Sequence, residues 1–390
     1  MGGLNNNFDK TTRFVPQRLK KARLARGMTL IDLANEIGVS RQAVSQYELG
    51  QSLPKGETFI RILEVLRFPR GYFLTSEEDK APSGPAFFRS LQAAKKKSRD
   101  MQVIRVDFIE DIRNYVLNFI ELPKLNLIEP LSKDLNEITN EDIELKAKEL
   151  RELWGLGNRP IKNMVKTLEK NGIVVTSINF QDDKLDALSQ WRGQTPYIVL
   201  STEKNAISRI RFNCAHELGH LVLHDAIEDI ESLNSKDFKN KLEAQAHYFA
   251  SCFLMPEEQF IDSLMSISLE YFIDLKSHWG ASIQAMVRRC KDLELINDNQ
   301  YLYLNKKISQ KKWRKKEPGE ENLDFEVPVI FNKAIDMLLK HELKTPEEIQ
   351  SNLQLPAEEI ASIFNMDKSL FQQETVPKLR IVSNHDKNVL

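Results

Sequence analysis

Nowhere in these 390 residues do apolar side chains run unbroken for the roughly 18 positions that a membrane-spanning helix needs. The N-terminal run Met-Gly-Gly-Leu-Asn-Asn-Asn holds no apolar signal core. Position 6 is Asn, not the Ser or Thr of a myristoylation signal. Cysteine is scarce. Cys214, Cys252 and Cys290 are too few for a disulfide framework in a chain this long, and they read as reduced, buried thiols. No repeat of fixed period occurs. These absences predict a cytoplasmic protein that makes no membrane contact. What is present suffices for two or three globular domains: 41% of residues are hydrophobic and 28% charged, so a packed core can form.

The charge is unevenly spread. Residues 1–75 hold twelve Lys/Arg against six Asp/Glu, a net +6, while the whole chain is −1. A basic, nucleic-acid-facing module joined to an acidic body is the expectation. Residues 16–74 read as short helices. Residues 77–85, with Pro82, Gly84 and Pro85, read as a linker. A long helix is expected over 87–121, including the basic cluster Lys95, Lys96, Lys97 and Arg99. Helical patterns follow over 143–156 and 160–171, closed by Gly172 as a C′ glycine. The β-branched runs 173–178 and 197–200 read as strands. Helices are expected from 206 to 295 and again over 331–343 and 346–364, with a disordered end.

Within the basic module, residues 28–50 divide into two helices. Thr29, with Asp32 three residues on, suits the first N-cap, Gly38 the tight turn, and Ser40 the second N-cap. Small Ala34 lets the helices cross closely, and Ile37, Val39 and Val44 lock the pair. The second helix then presents Ser40, Arg41, Gln42, Ser45 and Gln46, whose side chains can read base edges in a major groove. The run VSRQAVSQYELGQSLP resembles the XRE/Cro/C1-type helix-turn-helix over residues 16–74. Leu30 stands where many relatives carry a phosphate-touching Gln. The competing reading is a small helical bundle used only for dimerisation.

Residues 216–220 form an HExxH motif, His-Glu-Leu-Gly-His, in a helical context. Side chains at i and i+4 of a helix stack on one face with Cβ atoms roughly 5–6 Å apart. His216 and His220 can therefore converge on one Zn²⁺, while Glu217 is placed to take a proton from water and not to bind the ion. Chance supplies on the order of 0.01 such motifs in a chain of this length. His224 lies two turns past His216, roughly 12 Å along the axis, too far to be a third ligand on a straight helix. The better candidate is Glu243, in a helix stopped near Pro256, where Glu243, His247, Ala250 and Leu254 share a face. The alternative is a merely solvated Glu243. His247 and His224 are candidates to support the ligands from behind, and His247, His224 and Tyr248 to face a developing oxyanion.

The stretch RIRFNCAHELGHLVLH, followed by EAQAHYFASCFLMP, resembles the ImmA/IrrE metallopeptidases over residues 143–295, including the strand-like DALSQW at 186–191. The resemblance implies a zincin-like fold, Glu243 as the third zinc ligand, and cleavage of partner proteins such as repressors or antitoxins that hold a phage, mobile-element or stress program off. His247 replaces the Asn or Asp that many members carry. An XRE domain often precedes the peptidase in such proteins.

Together these readings predict a mainly α protein with a small β-sheet. An all-α helix-turn-helix domain spans 1–78, a linker and long helix 79–140, an α+β metallopeptidase domain 141–300, and a basic segment with a helical C-terminal region 301–390. Double-stranded DNA is the expected partner of residues 1–78, read as a homodimer on an inverted repeat. A protein substrate is expected at the zinc site, its backbone paired with the strand at 186–191. The alternative function is a regulator or antitoxin whose zinc-stabilised sensor domain cuts nothing. Residues 279–289 echo the helix-turn-helix turn, but Ile283 stands in place of Arg41, so a structural helix is expected. The basic run 306–316, with Trp313 inside it, reads as solvated surface.

Overall fold

The computed structural model describes residues 14–74, 83–88, 96–131, 134–203, 206–224 and 235–371. The first seven residues, most of the 77–85 linker, Lys95 and the end of the tail lie outside them. In chain order the elements are α1 (Pro16–Ala25), α2 (Leu30–Ile37), α3 (Arg41–Glu48), α4 (Gly56–Leu66), β1 (Ser83–Phe88), α5 (Lys96–Leu117), α6 (Asn140–Leu153) and α7 (Met164–Lys170). Then come β2 (Val174–Ile178), β3 (Ala187–Arg192), β4 (Thr195–Ser201), α8 (Ile207–Leu223), α9 (Lys236–Leu254), α10 (Glu257–Asp262), α11 (Leu269–Trp279), α12 (Ile283–Asp292) and α13 (Asp298–Gln310). The chain continues through α14 (Ile330–Lys340), α15 (Pro346–Leu353) and α16 (Ala357–Phe364). No described helix is long and apolar enough to cross a membrane.

Local chemistry sets the helix-turn-helix ends. Thr29 and Asp32 form a reciprocal capping box on α2, with bonds of 2.8 and 3.1 Å. Gly38 ends α2 at φ 71°, a left-handed conformation that glycine adopts without Cβ strain. The Ser40 hydroxyl accepts from the Ala43 amide and starts α3. Arg23 of α1 clamps Glu48 of α3 through two bonds of 2.6 and 2.8 Å, both side chains being buried.

The sheet has the order β1-β3-β4-β2. β2 runs parallel to β4, while β3 is antiparallel to both β4 and β1. Because side chains alternate along a strand, the sheet feeds two cores. Val175, Ala187, Ile198 and Leu200 join α6–α9 and α11–α13 on one face. Leu188, Tyr197 and Val199 join the helix-turn-helix, α5 and α14–α16 on the other. The C-terminal helices and α5 therefore pack into the core shared with the helix-turn-helix, with Phe108, Ile109, Ile112, Val116, Ile335 and Phe364 all buried. Arg26 of the helix-turn-helix reaches Glu359 of α16 at 3.2 Å.

The segment after the linker departs from expectation. Residues 83–88 are a strand, so the helix expected from 87 does not start there, and its described part runs from Lys96. Gly84 and Pro85 argue locally for a turn. The segment becomes a strand because β3 offers it an edge, and the register slips between Ser83 and Ala86, where Pro85 cannot donate to a ladder. The three cysteines are buried and unpaired with one another, as expected. Helix α12 is structural, with Ile283, Met286, Val287 and Cys290 buried.

Candidate metal centre and nucleic-acid face

Helices α8 and α9 cross at Gly219. A Cβ there would lie 3.1–3.3 Å from Phe249 and from the Ala246 backbone, so glycine permits the close approach. That approach carries Glu243 of α9 to the histidine face of α8. His216 Nε2 and His220 Nε2 are 3.1 Å apart. Glu243 lies 3.4 Å from His216 Nε2 through Oε2 and 3.7 Å from His220 Nε2 through Oε1. Among the described residues, these three form the group able to hold a metal ion. Tetrahedral zinc, with bonds of about 2.0–2.1 Å, separates its donors by roughly 3.3–3.4 Å, so the two imidazoles and the carboxylate fit such an ion. Both histidines are fully buried, and the Glu243 side chain is 21% exposed.

Behind His220 runs a hydrogen-bonded chain. The Gln245 amide nitrogen donates to the Leu135 and Ile138 carbonyls at 3.1 and 3.4 Å, which turns Gln245 Oε1 toward His224 Nε2 at 3.1 Å. His224 must donate to that oxygen, so its Nδ1 accepts from His220 Nδ1 at 2.9 Å. His220 is thereby held with its Nε2 lone pair facing His216 and Glu243. Burial pushes the His224 imidazole down to about 4. It holds His220 well below the ordinary imidazole range too, aided by the charges of His224 and His247. His224 thus supports His220 from the side away from the cleft and does not face a reacting oxygen. The exposed His247 ring packs on His216 with centroids 4.5 Å apart and stays at the cleft. The Tyr248 hydroxyl donates to Glu144 at 3.3 Å.

Glu217 is buried, and its Oε2 accepts from the Ser189 hydroxyl of β3 at 2.6 Å. Trp191 Nε1 on the same strand face donates to the Leu221 carbonyl, which seats β3 along α8. Both edges of β3 are occupied, by β1 and by β4, so a substrate backbone expected on this strand would have to displace one of them. A cavity of about 1120 Å³ opens beside the metal group, lined by Phe212, Glu243, His247, Tyr248, Trp313 and Lys315 among others. The basic run is thus partly cleft wall, with Trp313 half-buried and Lys315 and Lys316 exposed.

Sequence reasoning missed Ser189 and Gln245. The period of two in β3 puts Ser189 on the face of Ala187 and Trp191, a signal that was available. Gln245 projects from a different side of α9 than Glu243, and only the crossing with α8 gives it a partner. On the helix-turn-helix, Ser40, Arg41 and Gln42 are exposed, Ser45 and Gln46 half-buried, and Val44 fully buried beneath them. The five lie together at the start and on the outer side of α3.

Residues 168–291 match the family model of the IrrE N-terminal-like domain, Peptidase M78. Residues 19–73 match the helix-turn-helix model. The chain is also similar to an uncharacterized HTH-type transcriptional regulator, YqaE, of Bacillus subtilis (strain 168), at 33% identity over 64 residues. That match covers 16% of this chain and 55% of the relative, so the chain spans about half the length of the curated protein it resembles. The chain therefore joins an XRE-type helix-turn-helix domain at 19–73 to an IrrE/ImmA-like Peptidase M78 domain at 168–291.

Proposed function

We propose that this protein is a DNA-binding regulator whose peptidase domain uses zinc to cut a partner protein of the repressor or antitoxin kind. The observation that carries this reading is the triad His216, His220 and Glu243 at tetrahedral spacing beside buried Glu217. His216, His220 and Glu243 would hold the ion. Zinc supplies a Lewis acid that polarises a peptide carbonyl and acidifies water. Glu217 accepts the proton of the attacking water and passes it to the leaving amine. Ser189 fixes the Glu217 carboxylate by its 2.6 Å bond, so the proton acceptor does not swing away from the donor triad. His247, on the cleft side of His216, is the side chain best placed to face the carbonyl oxygen. Arg41, Gln42, Ser45 and Gln46, with Ser40 at the helix start, read duplex DNA in the major groove.

The test compares wild type with Glu217→Gln and His220→Ala. Elemental analysis of gently purified protein should find one zinc per chain in wild type and Glu217→Gln and none in His220→Ala. Partner proteins encoded beside the gene should be shortened by wild type alone. An equal cellular phenotype for wild type and Glu217→Gln at matched protein level, with no partner shortened, would leave a regulator that does not cut.

A further inference from the structure

The third strand of the sheet carries Ser189, whose hydroxyl holds Glu217, so an extended backbone on its outer edge would lie one strand away from the residue beside the metal group. That edge is occupied by the chain's own segment between the helix-turn-helix and α5. Ala86, Phe87 and Phe88 pair with Gln190, Ser189 and Leu188, and Ser83 pairs with Arg192. Phe87 therefore stands opposite Ser189, the residue bonded to Glu217. Neighbouring strands lie about 4.8 Å apart, so β1 runs one strand spacing from the element that positions the proton acceptor.

β1 is also poorly built for permanent pairing. Its regular ladder spans only Ala86–Phe88 before the register shifts. Gly84 carries a high entropic cost in a strand, and Pro85 has no amide to donate. An occupant held by so short a ladder can be exchanged for another extended backbone. In sequence, β1 lies between the DNA-binding module and α5.

We propose that Ser83–Phe88 is a resident, substrate-like strand on β3, and that the partner taken by this edge is an extended peptide that must displace it. The inference rests on the peptidase reading for its meaning, but its test needs no cleavage. If β1 is docked about 90–99% of the time, its removal tightens peptide binding roughly 10- to 100-fold, because only the open fraction binds.

The experiment uses the full chain carrying Glu217→Gln and loaded with zinc. The probe is a fluorescein-labelled peptide of sequence Ser-Gly-Pro-Ala-Phe-Phe, followed by anisotropy. In one variant, residues 83–88 are replaced by six alternating Gly and Ser residues. In a second, Ala86→Cys with Gln190→Cys allows a cross-strand disulfide between directly opposed positions, which suits disulfide geometry. This pair lies on the face away from Glu217, so locking it leaves the metal group unobstructed. The replaced variant should bind the probe at least tenfold more tightly than the parent. The disulfide variant should refuse the probe when oxidised and regain it on reduction, with the single cysteine variants insensitive to reductant. Equal affinity of parent and replaced variant, or probe binding to the oxidised form, overturns the proposal. Absence of zinc or of partner cleavage would count against the peptidase reading and leave this strand-exchange result standing.

Discussion

Removing the side chain of His224 tests how the metal centre is held in register. His224→Ala takes away the acceptor of His220 Nδ1 at 2.9 Å and the donor to Gln245 Oε1 at 3.1 Å, both in a fully buried environment. His220 then keeps its place on α8 but loses what fixes its tautomer and ring angle. Loss of such support for a ligating histidine weakens metal binding by about 10–100-fold, equal to about 1.4–2.7 kcal/mol. Gln245→Leu probes the same chain one link further back. It fills the same space but leaves the Leu135 carbonyl and the His224 Nε2–H without their partners. Each buried unsatisfied group costs about 1–3 kcal/mol of folding free energy. The variant should therefore lose metal affinity less than His224→Ala and fold stability more. Zinc competition against a chromophoric chelator reads the first quantity, and thermal unfolding of the zinc-free chain reads the second. Zinc affinities within twofold of wild type in both variants would refute the orienting chain.

Four further outcomes are expected. Ser189→Ala should leave zinc content unchanged and slow partner cleavage by about tenfold, the loss of one hydrogen bond to a charged group; unchanged single-turnover rates would remove Ser189 from the mechanism. Gly219→Ala should push α9 away from α8, since its methyl would meet the Ala246 backbone at 3.3 Å; overpacking costs about 1–3 kcal/mol, and calorimetric titration should show weakened zinc binding as Glu243 is displaced. Lys276 is fully buried and pairs with Glu317 at 2.8 Å and Glu320 at 2.6 Å, so Lys276→Met should destabilise the chain by about 3–5 kcal/mol in denaturant titrations. Burial raises the Glu320 carboxyl, but hydrogen bonds from Lys276 and Ser208 hold it below its ordinary 4.5. Its contribution is complete above that value and fades as pH falls through the lower folded one, so Lys276→Met should show less acid sensitivity below about pH 4.5 than wild type. Arg41→Ala with Gln42→Ala should cost about 1–3 kcal/mol per lost base contact in gel-shift titrations against a selected operator while sparing non-specific binding; intact specificity would displace α3 as the reading helix.

What the sequence by itself determined is local in origin. The four-residue spacing of His216 and His220 needs only an α-helix to become a shared face. Thr29 with Asp32, Gly38 and Ser40 act on backbone groups within three residues, so the helix-turn-helix boundaries were legible. Glu243 was identifiable because it repeats on the face of its own helix, but its distance from the histidines depends on Gly219 letting α8 and α9 touch. Tertiary structure alone decided the rest. Pro85 and Gly84 signal a turn to any local rule, and only an open edge on β3, about a hundred residues away in sequence, makes them a strand. Gln245 is an ordinary helix residue until His224 arrives from another helix. The sequence set the C-terminal helices apart in a region of their own, 301–390, yet their apolar faces complete a core with α5 and the helix-turn-helix, because none of these short amphipathic helices buries enough apolar surface alone.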